Sequence, residues 1–133
     1  MLWRCGIDRI SDFRDLVAWK LAHELKLLAQ ALCTRHALRT QFLFCDQLKG
    51  AAESAPANIA EGFGRYYHPE AARFARIAKA SEVEVLNHFI DAYDKGYLSQ
   101  EEFARHEHAV KKALKAVNGW IRYLENTPNF GKS

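Results

Sequence analysis

The sequence predicts an all-α fold, an up-down-up-down antiparallel four-helix bundle, and three observations carry that prediction. Apolar residues recur at helical spacing along nearly the whole chain, no segment alternates long enough for a strand, and helix-breaking punctuation falls in three places. Composition agrees, with Gly and Pro scarce beside Ala, Leu, Lys, Glu and Arg. A chain of 133 residues makes one domain whose core needs no staples. Joints this short make successive helices antiparallel neighbours.

The first helix is expected over 12–35, where Ala18, Leu21, Leu25, Leu28, Ala29 and Leu32 share a face, and "TRHALRT" (34–40) ends it. The second runs over 40–65 on Phe44, Leu48, Ala51, Ala52, Ala55, Ile59 and Phe63, up to "GFGRYYHPE" (62–70). Pro69 and Glu70 suit the first turn of a third helix over 69–95. In "DKGYLSQEE" (94–102), Gly96 can take a left-handed cap, and Ser99 with Glu102 spells a capping box. That box opens a fourth helix over 99–125, with Phe103, Val110, Leu114, Val117, Ile121 and Leu124 on its core face. The bundle domain is therefore 12–125, between an N-terminal extension (1–11) and a flexible C-terminal tail (126–133).

Some apolar residues do not fit one core. The third helix has Phe74, Ala78, Val85 and Phe89 on one side, with Val83, Leu86 and Ile90 well round from them. Leu16, Trp19 and Leu27 lie off the first stripe, and Ala109, Ala113, Ala116 and Trp120 flank the fourth. Helices apolar on two sides are usually buried on two sides, so self-association is expected. The alternative is a wider core with a few ordinary exposed hydrophobes.

Pro56 interrupts the second helix, where proline costs roughly 3 kcal/mol in an interior. A polar line of Gln47, Ser54, Asn58, Glu61 and Arg65 runs beside it, with Glu61 and Arg65 as an i,i+4 pair. Pro56 frees the carbonyl of Ala52, and Ser54 or Asn58, a partner helix or water can answer the disturbed groups. The surrounding alanines let another backbone approach, so the stretch reads as a bend at a tight structural contact.

"FRDLVAWKLAHEL", "QLKGAAESAPANIAEGFGR" and "RFARIAKASEVEVLNHFIDAYDKGYLS" together resemble the four-helix proteins encoded in 23S rRNA intervening sequences. Their relatives include the accessory variability determinant of diversity-generating retroelements. The likeness covers about 12–125 and is most specific from Gln47 through Gly62. It implies a bacterial four-helix bundle assembled as a ring-like homopentamer. It also implies association with nucleic acid, or with a nucleic-acid enzyme such as reverse transcriptase, rather than catalysis. Lys49-Gly50 stands where the family often has a more basic pair, and Ala80-Ser81 replaces a common Gly-Ser. Gly50 costs roughly 1 kcal/mol against Ala in a helix unless close packing needs it.

Other chemistries find little footing. Ferritin-like sites need Glu-x-x-His, and no carboxylate stands three residues before any of the six histidines. "HELKL" (23–27) lacks the second His of a zincin helix, and Cys33 with His36 has no matching second pair, so no metal or cofactor is expected. No Walker loop occurs. Nothing places a base beside a nucleophile, and His106 reads as a boundary residue of the core. Cys5, Cys33 and Cys45 form an odd, scattered set that suits a reduced intracellular protein. With neither a leader-like nor a membrane-spanning stretch, the expected location is the cytoplasm.

A net charge of +3 is too small to announce nucleic-acid binding by itself. The pattern is more informative. Arg105, His108, Lys112, Lys115 and Arg122 repeat by three, four, three and seven opposite the core, with Glu101, Glu102, Glu107 and Glu125 read as lying elsewhere. Such a face can track phosphates. Arg65, Tyr66 and Tyr67 occupy a joint where rings can stack on unpaired bases, or else pack over the bundle end with a hydroxyl in water. The sequence thus reads as a non-enzymatic, oligomeric scaffold for structured RNA or DNA, or for a nucleic-acid enzyme. The rival readings are a protein–protein adaptor without nucleic-acid affinity and an enzyme with an unrecognised site.

Overall fold

Four α-helices form, α1 (Val17–Cys33), α2 (Phe42–Phe63), α3 (His68–Asp94) and α4 (Gln100–Asn126), in a computed structural model that describes residues 10–128. Each helix packs on the next and α4 closes back on α1, giving the up-down-up-down bundle. Among the described residues there is no strand, and no helix is long and apolar enough to cross a membrane. Most of the expected N-terminal extension, Cys5 with it, and most of the expected tail lie outside the described residues.

The first helix is shorter than expected. Asp12 caps a 3₁₀ turn over Phe13–Asp15, its carboxylate accepting from the Arg14 backbone N–H at 2.8 Å. Leu16 is extended and buried, so the helical path restarts at Val17. A second 3₁₀ turn, His36–Leu38, carries the α1–α2 joint and buries Leu38. After α3, Gly96 takes φ 80°, and the N–H groups of Tyr97 and Gly96 bond the carbonyls of Ala92 (2.8 Å) and Tyr93 (3.0 Å). This is a Schellman cap at the predicted glycine. The Ser99–Glu102 capping box follows with both of its hydrogen bonds made.

The core faces are those read from periodicity, with Leu25, Leu48, Ile59, Val85, Phe89, Val110 and Val117 fully buried. Most of the apolar residues that seemed surplus also belong to this core. Leu16, Ala113 and Trp120 are buried, while Trp19, Leu86, Ala109 and Ala116 pack against it. A helix at the corner of a square bundle meets two neighbours, so its buried arc is wider than one stripe. Leu27, Val83 and Ile90 remain exposed.

The α2–α3 seam is the most extensive helix contact. Ala71, Ala72, Ala75 and Ala78 keep α3 slim there. A Cβ on Gly62 would lie 2.9 Å from the Phe74 Cβ and 3.0 Å from the Ala71 carbonyl oxygen, so this position admits only glycine without movement. α2 continues on both sides of buried Pro56. The Asn58 side-chain amide donates to the Ser54 carbonyl (2.9 Å) and hydroxyl (3.0 Å), and the Ser54 hydroxyl meets that of Ser81 on α3 at 2.9 Å. These bonds place polar groups at the seam where the proline has removed a donor.

Glu82 interrupts the apolar interior. It is fully buried on α3 between Ala78 and Val85, and among the described residues neither carboxyl oxygen has a hydrogen-bond partner. Burial pushes its pKa up to about 8, so it is an uncharged acid at neutral pH.

Candidate nucleic-acid interface

α4 turns Val110, Ala113, Val117 and Leu124 inward, which leaves Arg105, His108, Lys112, Lys115 and Arg122 exposed on its outer face. At 1.5 Å rise per residue these five span roughly 26 Å. Among the described residues none of them joins an ion pair, whereas neighbouring Lys111 meets Glu107 at 3.7 Å. The sequence expectation needs one correction. Glu101, exposed and four residues before Arg105, stands at the N-terminal end of the same face, because four residues bring a helix round to nearly the same side. From Arg105 to Arg122 the line is free of carboxylates.

The α2–α3 joint presents rings. Tyr66 and Tyr67 are 51% and 56% exposed, and they pack edge to face with centroids 5.0 Å apart. They do not cover the bundle end. His68 does so instead, buried, with Nδ1 2.9 Å from the Thr127 carbonyl oxygen and its ring 5.8 Å from that of Tyr123. Arg65 bonds Glu61 at 2.9 Å, and its guanidinium lies 5.0 Å from the centroid of Phe74. The guanidinium of Arg73 lies 4.9 Å from the same ring. Phe74, read from periodicity with the apolar side of this helix, is only half-buried, and Arg73 escapes a linear reading because their neighbour Arg65 belongs to another element. The adjacent Arg-Phe pair was the only local signal.

The structure brings these groups together only in part. The His68–Thr127 contact and the 2.9 Å Arg76–Glu125 ion pair hold the start of α3 to the end of α4, so Arg122 and the tyrosine pair share one end of the bundle. Arg105 is at the other end. The Arg65–Phe74–Arg73 group sits along the α2–α3 seam, and α2 is diagonal to α4, so it forms a separate surface. Of the residues read as a structural contact, Ser54 and Asn58 are bonded at the seam, Pro56 is buried and Glu61 pairs with Arg65. Gln47 is exposed and lies outside that network.

Two groups of potential reactivity, Cys33 and His106, sit in apolar settings. Cys33 is pushed up to about 12 by burial, reinforced by hydrogen-bond contact with Cys45, so its thiol is protonated at neutral pH. His106 is buried, donates from Nδ1 to the Glu102 carbonyl at 2.7 Å and packs edge-on against Phe89. Burial lowers its pKa. Among the described residues no three His, Cys, Asp or Glu side chains converge as a metal site would require.

The family model described as 23S rRNA-intervening sequence protein matches residues 14–119, which take in α1 to α3 and most of α4. No curated protein matches the chain.

Proposed function

We propose that this chain, which belongs to the 23S rRNA-intervening sequence protein family, is a non-enzymatic, oligomeric scaffold in the cytoplasm that binds structured RNA or DNA. The family is not a known enzyme family. The observation that carries the reading is the outer face of α4, where Arg105, His108, Lys112, Lys115 and Arg122 stand exposed and unpaired by any described carboxylate. Most surface cations gain little from a single neighbour, but a row of them releases counterions from a phosphate backbone contact by contact. In a ring of subunits, the homopentamer that family resemblance implies, several rows would add their fields.

Self-association is supported by what the chain leaves uncovered. Phe42 and Leu43 are each 71% exposed, and Leu27, Val83 and Ile90 are exposed as well. Among the described residues, a Cβ added at Gly50 meets nothing within 4 Å, so none of their packing calls for a glycine there. These same faces favour a second reading, a protein adaptor, and they are also where a nucleic-acid enzyme such as a reverse transcriptase would be held.

The test is binding of labelled structured RNA and duplex DNA, read by anisotropy across a salt series. Affinity should fall steeply with salt, and Lys112→Glu with Lys115→Glu should weaken binding by an order of magnitude or more and flatten the slope. The double variant must remain folded by circular dichroism. Unchanged affinity removes the α4 face from the interface. No binding by the folded wild type at low salt transfers the assignment to the adaptor.

A further inference from the structure

We infer that the α2–α3 joint is a second nucleic-acid site, specific for unpaired nucleotides and separate from the backbone-tracking face of α4. This inference rests on the nucleic-acid reading above. Two neighbouring tyrosines leave more than half of their surface in water, in a joint whose covering role is taken by His68. Rings that packed over the end of the core would be buried, and these are not. Their edge-to-face packing at 5.0 Å leaves ring surface open to a flat ligand.

The adjoining seam adds charge of the right geometry. Arg65 and Arg73 approach the Phe74 ring at 5.0 and 4.9 Å, so two planar cations are held at an aromatic surface, and Arg65 directly precedes the tyrosines in the chain. Phe74 is fixed from below, because its Cβ faces Gly62 across a close approach of α2 to α3. Arg65 is partly neutralised by Glu61, whereas Arg73 joins no ion pair among the described residues. Arg73 is therefore the cation available to a phosphate.

Exposed aromatic faces with adjacent guanidinium groups suit single strands and loops, whose bases are free to stack while the backbone meets charge. A continuous duplex offers no free base face to such rings. The α4 row has the opposite character, four cations and a histidine with no exposed Phe, Tyr or Trp among them. Two parts of one target, paired and unpaired, would thus be held by two different surfaces.

The deciding experiment compares a labelled oligothymidylate single strand with a blunt duplex of equal length, by anisotropy at one fixed low salt. Tyr66→Ala with Tyr67→Ala, and separately Arg73→Ala, are set against Lys112→Glu with Lys115→Glu, all verified as folded. The tyrosine variant should lose roughly tenfold or more in single-strand affinity and keep its duplex affinity. Arg73→Ala should act in the same direction with a smaller loss. The α4 variant should lose duplex affinity chiefly. Equal losses on both probes, or an unaltered single-strand affinity in the tyrosine variant, overturn the second site while leaving the scaffold reading standing. Failure of the folded wild type to bind either probe overturns both.

Discussion

The two ends of the bundle differ in how completely the chain answers its own polar groups. At the end carrying the α1–α2 and α3–α4 joints, Arg35 reaches across to Glu102 at 2.5 Å and to the Tyr97 carbonyl at 2.9 Å. Glu102 also accepts from the Ser99 N–H to complete the capping box, and Leu38 and Leu98 are buried beneath. At the α2–α3 end, Tyr66 and Tyr67 face water and Arg73 joins no ion pair among the described residues. The first end commits Arg35 and Glu102 to closing the fold, whereas the second, held by the His68–Thr127 contact and the Arg76–Glu125 pair, still leaves Tyr66, Tyr67 and Arg73 open. The proposed recognition surface therefore lies at the end where Tyr66, Tyr67 and Arg73 are left open, and substitutions there and at the closed end should separate binding from stability.

The largest effect is expected between the ends and the seam they share. Gly62→Leu drives a side chain into Phe74 and the Ala71 backbone, and should destabilise the protein by about 3 kcal/mol in urea unfolding. A loss below about 1 kcal/mol would show that the start of α3 moves freely, and that the open end is not rigidly presented.

Next comes pH, where two carboxyls act with opposite sign. Glu82 holds its proton up to about pH 8 when folded, against an ordinary value of 4.5. The unfolded chain therefore binds fewer protons between pH 4.5 and 8, and Glu82 makes stability fall as pH rises through that window, at up to roughly 1.4 kcal/mol per pH unit. Glu82→Gln should remove this slope, so its unfolding free energy should gain on the wild type from pH 5 to pH 8. Parallel curves would mean that the folded protein already solvates or pairs the Glu82 charge. At the closed end, hydrogen bonds from Arg35 and then from the Ser99 backbone hold Glu102 down to about 2. Its contribution is present above pH 4.5 and is lost as pH falls towards 2.

The smallest effects sharpen the contrast most directly. Ser99→Ala at the closed end removes an N-cap acceptor and should cost about 1 kcal/mol of stability with nucleic-acid binding unchanged. Tyr66→Ala with Tyr67→Ala at the open end should alter stability by no more than about 0.5 kcal/mol. If the tyrosine variant were the less stable of the two by denaturant titration, the rings would be structural and the division between the ends would fail.

The legible part of this protein was local. Gly96 and the Ser99–Glu102 box mark a helix end and a helix start by chemistry that acts over a few residues, and both stand where they were expected. Leu48, Ala55 and Ile59 repeat at helical spacing and each is fully buried. Asp12 shows the limit even at short range, since a capping side chain favours a 3₁₀ turn as readily as the start of an α-helix, and Leu16 then breaks the path. Of the candidate surface, the α4 row was visible because its spacing lies within one helix, although Glu101 was placed on the wrong side of that count. The Arg65–Phe74–Arg73 group was not visible as a unit, because it joins a residue after α2 to the first turns of α3.

By itself the sequence determined how many helices form, where they stop and which side of each is apolar, because those properties are set by neighbours within about seven residues. Tertiary structure decided which partner each side meets. It enclosed Ala113 and Trp120 within the core rather than on a second face, and it buried Glu82 with no hydrogen-bond partner among the described residues. It also left Tyr66 and Tyr67 in water while His68 covered the bundle end. The physical reason is that periodicity fixes an arc on each helix, but burial and desolvation depend on the rotation and separation of helices whose contacts lie far apart in the chain.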